Sequence, residues 1–191
     1  MEAFFVSLGV GTLGEMGDKT QLLAVLFGVK FRRPVQIAVG ILVATLLNHA
    51  AAGALGDWLA RTLGPEIVRW AVGLSFIGMA CGMLIPDKLD HEEDIVPVSR
   101  FGVFGTTVVA FFFAEMGDKS QIATIALTAR YLDVPAVVAG TTMGMLIADV
   151  PAVFLGDKIA QKVSMKLVRG VAAVIFAAMG VLALLNMGKL F

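Results

Sequence analysis

Six apolar runs alternate with short polar breaks along the chain and predict helices over Ala3–Val29, Val35–Gly56, Ile67–Ile85, Phe101–Ala129, Val134–Gly156 and Gly170–Gly188. A bilayer core takes about 20 helical residues to cross, and most of these runs fit that length. The first and fourth are too long. Straight helix from Ala3 to Val29 would reach about 40 Å at ~1.5 Å per residue, past a core of about 30 Å. These two runs must tilt or break, and each carries a glycine near its middle, Gly17 or Gly117.

The same two runs hold the most polar stretches found inside any of the six. Glu15-Met-Gly-Asp-Lys-Thr-Gln-Leu22 and Glu115-Met-Gly-Asp-Lys-Ser-Gln-Ile122 match residue for residue, apart from Thr/Ser and Leu/Ile. An ionised side chain in hydrocarbon costs about 2.5–3.5 kcal/mol on insertion scales. A chain that accepts this cost twice, in the same order, is using those residues.

The offset of 100 residues between the motifs extends well beyond them. Gly40 matches Gly140, Gly56-Asp57 matches Gly156-Asp157, Arg69 matches Arg169, and Phe76 and Met79 match Phe176 and Met179. The chain therefore reads as two copies of a three-span unit, residues 1–85 and 101–191, joined by an acidic linker at 86–100. Three is odd, so the second copy enters the membrane from the opposite side. The expected fold is an all-α membrane protein whose six transmembrane helices form two inverted three-helix repeats, an arrangement that puts transport sites at the repeat interface.

Composition supports the membrane reading. Hydrophobic residues make up 58% of the chain and charged ones 16%, against about 25% charged in soluble domains. The 191 residues suffice for one helical bundle, not for a bundle and a soluble enzyme domain. The net charge is zero, which gives no reason to expect nucleic acid as a partner. Cys81 is the single cysteine, so no intrachain disulfide or thiolate cluster can form; its apolar setting predicts a small buried hydrophobe. The start Met1-Glu2-Ala-Phe-Phe lacks the basic region of a cleaved signal peptide, so the first run is read as a retained span.

Loop charges set the orientation. Lys30, Arg32, Arg33, Lys88, Arg100, Lys158, Lys162, Lys166 and Arg169 fall on one side and Arg61, Arg69, Arg130 and Lys189 on the other. The positive-inside rule places the richer side in the cytoplasm, with both termini outside an inner (plasma) membrane. Between Asp87 and Arg100 lie Asp87, Asp90, His91, Glu92, Glu93 and Asp94. They read as a solvated cytoplasmic linker, or more sharply as a weak cation-attracting surface.

In the motifs, Glu15 with Asp18 and Glu115 with Asp118 are i,i+3 pairs, which share a helix face. Inverted repeats would bring the two helices together, so these four carboxylates are the candidate metal ligands. Thr20, Gln21, Ser120 and Gln121 add neutral oxygens one turn along. An all-oxygen set suits calcium, magnesium or manganese, whereas zinc and copper prefer imidazole or thiolate. Met16 and Met116 face lipid or core on one reading and lend soft sulfur on another. Lys19 and Lys119 argue against a permanently filled cage. As i,i+4 partners of Glu15 and Glu115 they could form structural ion pairs, which would leave Asp18 and Asp118 uncompensated. Lys19, Lys119, His49 and Asp149 are candidates for a proton relay. The offset places His49 opposite Asp149 in the repeat, where an interhelical hydrogen bond is the competing role. Gly56-Asp57 and Gly156-Asp157 look like helix ends.

The doubled pattern Glu-x-Gly-Asp-(Lys/Arg)-(Ser/Thr), on the first and fourth of six helices, resembles the Golgi-type calcium/manganese cation–proton antiporters, which include bacterial manganese exporters of this size. The resemblance covers essentially the whole chain. It implies that Glu15, Asp18, Glu115 and Asp118 bind the transported ion and that its export is driven by protons, as in many members. Family members differ in their preferred ion, and the expectation for this chain is manganese first and calcium second. No resident cofactor and no enzyme activity are expected. An exporter of a small organic cation or amino acid on a similar fold stays open, as does a cation channel; homo-oligomerisation is also open. No His-Glu-x-x-His, Gly-x-Ser-x-Gly or comparable catalytic motif is present.

Overall fold

The computed structural model describes residues 1–85, 102–155 and 165–185, except the side chains of 165 and 166. The linker 86–100, Gly156-Asp157, Lys158, Lys162 and Lys189 lie outside the described residues. Among those described, the chain is entirely helical. The helices are α1 (Glu2–Glu15), α2 (Lys19–Phe31), α3 (Pro34–Thr62), α4 (Pro65–Met83), α5 (Gly102–Glu115), α6 (Lys119–Tyr131), α7 (Val134–Leu155) and α8 (Met165–Leu184). Four of them, α3, α4, α7 and the Leu167–Leu184 part of α8, are long and apolar enough to cross a membrane.

Both overlong runs break at the motif. Gly17 and Gly117 each have φ +79°, a left-handed conformation that side-chain-bearing residues rarely adopt. Glu15 and Glu115 are the last residues of α1 and α5, and Asp18 and Asp118 are the N-caps of α2 and α6. Each motif thus joins the carbonyl end of one short helix to the amide end of the next.

Besides the ends of α2, α4 and α6, which move by two residues to Phe31, Met83 and Tyr131, three boundaries depart from expectation. Gly56-Asp57 does not end α3, which continues to Thr62. Gly56 instead allows close packing on α6: a Cβ there would come within 2.5 Å of the Ile125 carbonyl oxygen. Asp57 bonds Arg61 at 2.7 Å one turn on, which stabilises helix rather than ending it. At the other two boundaries, α4 starts at Pro65, whose fixed φ suits a first turn, and α8 begins five residues before Gly170. Cys81 is exposed rather than buried.

Two apolar clusters form the core. One joins Ala3 and Val10 of α1 and Leu127 of α6 to Val72 and Phe76 of α4 and Phe176 of α8. The other joins Ala24 and Phe27 of α2, Ile37 and Ile41 of α3, Phe111 of α5 and Val153 of α7. Along each broken run the motif sits at the switch from one cluster to the other. That switch confines the polar chemistry to a belt between two apolar layers.

Contacts recur when residue n is exchanged for n + 100. Gly40 of α3 packs on Thr107 of α5, and Gly140 of α7 packs on Ser7 of α1. Likewise α1 packs on α7 as α5 does on α3, and α6 on α3 as α2 does on α7.

Candidate ion site at the two helix breaks

The breaks are held by their own glutamines. The Gly17 N–H donates to Gln21 Oε1 at 2.9 Å, and the Gly117 N–H donates to Gln121 Oε1 at 2.8 Å. The amide ends of these glutamines then reach the facing half. Gln21 Nε2 donates to the Ala148 carbonyl at 3.1 Å, and Gln121 Nε2 to Asn48 Oδ1 at 3.4 Å. The amide oxygens expected as neutral ligands are therefore occupied in fixing the breaks. Thr20 Oγ1 lies 3.5 Å from Asp18 Oδ2, and the buried Ser120 Oγ has no hydrogen-bond partner.

The lysines pair across the two motifs, not within them. Lys119 Nζ donates to Asp18 Oδ1 at 2.6 Å, and Lys19 Nζ lies 3.5 Å from Asp118 Oδ1. This corrects the i,i+4 pairing with Glu15 and Glu115. That spacing assumes continuous helix, and the break falls between Glu15 and Lys19. Asp18 and Asp118 are the compensated acids, the reverse of what that pairing would leave.

Glu15, Glu115 and Asp149 are buried acids of a different kind. Both Glu15 oxygens, Glu115 Oε2 and both Asp149 oxygens have no hydrogen-bond partner. Glu115 Oε1 accepts from Thr45 Oγ1 at 3.2 Å, which itself lies 3.1 Å from Met145 Sδ. Asp149 lies on α7 and is fully buried. His49 is not its partner: Nδ1 lies 3.4 Å from Thr142 Oγ1 while Nε2 has none. No three His, Cys, Asp or Glu side chains among the described residues already sit at metal-ligating separation. Of the motif methionines, Met116 is 53% exposed and Met16 half-buried.

One cation was missed as a site residue in the sequence. Arg169 donates from Nη2 to the Gly17 carbonyl, at the first break. Its signal was visible as the Arg69/Arg169 match, but a charge next to a polar loop reads as an orientation marker. Thr45 and Met145 were hidden for another reason: single polar or thioether residues in apolar helices are common.

Chemically, an unpartnered buried carboxylate needs a proton or a cation. The breaks also present helix carbonyl ends and amide ends at the same level. Five carboxylates (Glu15, Asp18, Glu115, Asp118, Asp149) against three cations (Lys19, Lys119, Arg169) leave a formal charge of −2.

The family model for the divalent cation/proton antiporter GDT1 matches residues 3–91 and 103–189. A Vibrio cholerae protein named "Putative manganese exporter" is 46% identical over 180 residues, 94% of this chain and 88% of that protein. A GDT1-like protein of Oryza sativa subsp. japonica is 37% identical over 96% of this chain and 94% of its own length. A GDT1-like protein of Synechocystis is 29% identical over 92% and 93%. No solved structure matches.

Proposed function

Because the chain belongs to the GDT1 family of divalent cation/proton antiporters, a family of transporters and not of enzymes, we propose that it exports manganese, with calcium second, in exchange for protons. The observation that carries this reading is the set of unpartnered buried oxygens on Glu15, Glu115 and Asp149. The same oxygens can take either a metal ion or protons, and competition for them is what couples the two flows. The formal charge of −2 around the breaks is balanced by one divalent cation or by two protons.

The donors support this ion preference. Carboxylate, hydroxyl and carbonyl oxygens suit hard divalent cations. Met145 Sδ, 3.1 Å from the Thr45 hydroxyl that bonds Glu115, adds a softer donor, which favours manganese over calcium. The name of the Vibrio relative points the same way. Asp18 and Asp118 act as ligands when their lysines release them. Lys19, Lys119 and His49 lie where a proton could pass to or from this group.

The fold reading is completed by counting α1–α2 and α5–α6 as one broken span each. With α3, α4, α7 and α8 that makes six spans, in inverted repeats 1–85 and 101–191 joined by the linker 86–100. The contacts that recur at n + 100 support it. The charge bias then places both termini outside the inner membrane. Cysteines introduced near Met1 and beyond Leu184 should react with an impermeant maleimide from outside in intact cells. Labelling at both ends only after permeabilisation would invert the orientation.

Reconstituted vesicles test the exchange. With membrane potential clamped, proton excess on the side the metal leaves toward should accelerate radiolabelled manganese flux by about ten-fold, a 1.4 kcal/mol effect. Calcium should be carried more slowly. Flux indifferent to the pH gradient would reject proton exchange and leave a channel as the better account.

A further inference from the structure

The n + 100 correspondence holds for α1–α3 and α5–α7 but fails for where α4 and α8 sit. These two helices pack on each other along their length, with Phe76 against Phe176 and Gly73 against Leu184 and the Gly180 carbonyl. As a pair they take their remaining main contacts from α6 and α1, apart from the turn joining α4 to α3. Residues of α4 and α8 fill out one apolar cluster and contribute none to the other, built on α2, α3, α5 and α7. A symmetric core thus carries an asymmetrically docked pair.

The matched arginines show what that offset does. Arg169 meets the first break and donates to the Gly17 carbonyl. Arg69 lies instead at the far end of α6, bonded to Glu66 at 2.5 Å, with its buried Nε unpartnered. There it lines a cavity of about 530 Å³ with Phe76, Leu127, Tyr131 and Met179. The breaks differ accordingly: Gly17 is buried, whereas Gly117 and Met116 are exposed.

We propose that Arg169 and Arg69 are alternate positioning residues of the transport cycle, Arg169 holding the Gly17 carbonyl in the state seen here and Arg69 taking the Gly117 carbonyl in the opposite-facing state. The α4–α8 pair carries them, sliding along α6 by the eight residues from Leu127 back to Lys119, roughly 12 Å of helix. The seam is suited to shear, since α6 presents Ala123, Ala126 and Ala129 to the cluster that holds α4. A guanidinium is permanently charged and rich in donors. Seated on a break carbonyl, it occupies an oxygen that a transported cation could use, repels that cation and covers the break. Withdrawn, it leaves the break open. Its role in transport rests on the exchange reading above, but the motion is measurable without any flux.

The test uses single cysteines, Met16→Cys and Met116→Cys, in a Cys81→Ser background, and rates of reaction with a small water-soluble maleimide in proteoliposomes. With both arginines present, the cysteine at 116 should react about ten-fold faster than that at 16. Arg169→Gln should move the two reporters in opposite senses, raising the rate at 16 and lowering that at 116, each about ten-fold. Arg69→Gln should lower the rate at 16 further. A variant that merely loosens the bundle would raise both rates together, and that result, or unchanged rates, overturns the proposal. Should Arg169→Gln fail to fold, Arg169→Lys keeps the charge with fewer donors and should shift both rates in the same senses by a smaller factor; no shift there is equally fatal. If the unsubstituted chain carries no metal while the rates move as stated, the exchange reading fails and the arginine assignment stands.

Discussion

Glu15→Gln should stop metal export while leaving a protein that inserts, folds and is at least as stable as the parent. The same outcome is expected for Glu115→Gln and Asp149→Asn. Each amide keeps the shape of the acid and removes its charge. For Glu15 and Asp149, neither oxygen has a protein partner to lose. On the proposed exchange, what the substitution removes is a charged ligand for the ion and a place for the proton. The expected loss in flux is at least about 100-fold, equivalent to about 2.7 kcal/mol. Stability should move the other way, because an unpaired buried charge is a cost the fold already carries. Manganese flux in proteoliposomes, read beside a thermal melt in detergent, separates the two effects. Normal flux in both glutamine variants would dismiss these acids as the site. Normal flux in Asp149→Asn alone would confine the site to the motifs.

The two aspartates should behave differently from the glutamates, and from each other. Asp18→Asn takes away the carboxylate that Lys119 holds at 2.6 Å, in a pair with side chains 17% and 1% exposed. Breaking a pair that is this buried costs about 3–5 kcal/mol. Asp118→Asn disrupts a 3.5 Å contact to a lysine that is 35% exposed, where solvent screens the pair and the loss is about 0–1 kcal/mol. The melting temperature should therefore fall sharply for Asp18→Asn and slightly for Asp118→Asn. Reversing the buried pair, Asp18→Lys with Lys119→Asp, should recover much of the lost stability. Equal shifts in the two asparagine variants would mean that the pairs are energetically equivalent and that their different depths have no consequence.

Much of this arrangement was legible in the chain because it depends on length, period and repetition. Run lengths against bilayer thickness required the first and fourth runs to tilt or break, and glycine chemistry offered Gly17 and Gly117 as the break points. The offset of 100 identified the residues that make equivalent contacts. Side-chain partners were less legible. The i,i+4 rule paired Lys19 with Glu15 across a junction that is not helical, so it missed the exchange of lysines between motifs. Gln21 and Gln121 were read as ion ligands because the break's N–H groups, which claim their oxygens, exist only once the backbone has turned. Gly56-Asp57 resembled a helix end, but the close approach of α6 is a tertiary demand that no local pattern carries. The same holds for Arg169, whose reach to Gly17 depends on how far α8 is displaced along the bundle.

The correspondence of contacts under n + 100 has a thermodynamic consequence. On the proposed inverted-repeat reading, a core whose halves repeat their contacts can open to either face of the membrane, and the docked α4–α8 pair sets which one. The direction of net movement then belongs to the gradients, not to the protein. Reversing the proton gradient across a vesicle should run the machine backward and draw metal in. A cell that depends on such a carrier for export is protected only while it keeps the opposing gradient energised.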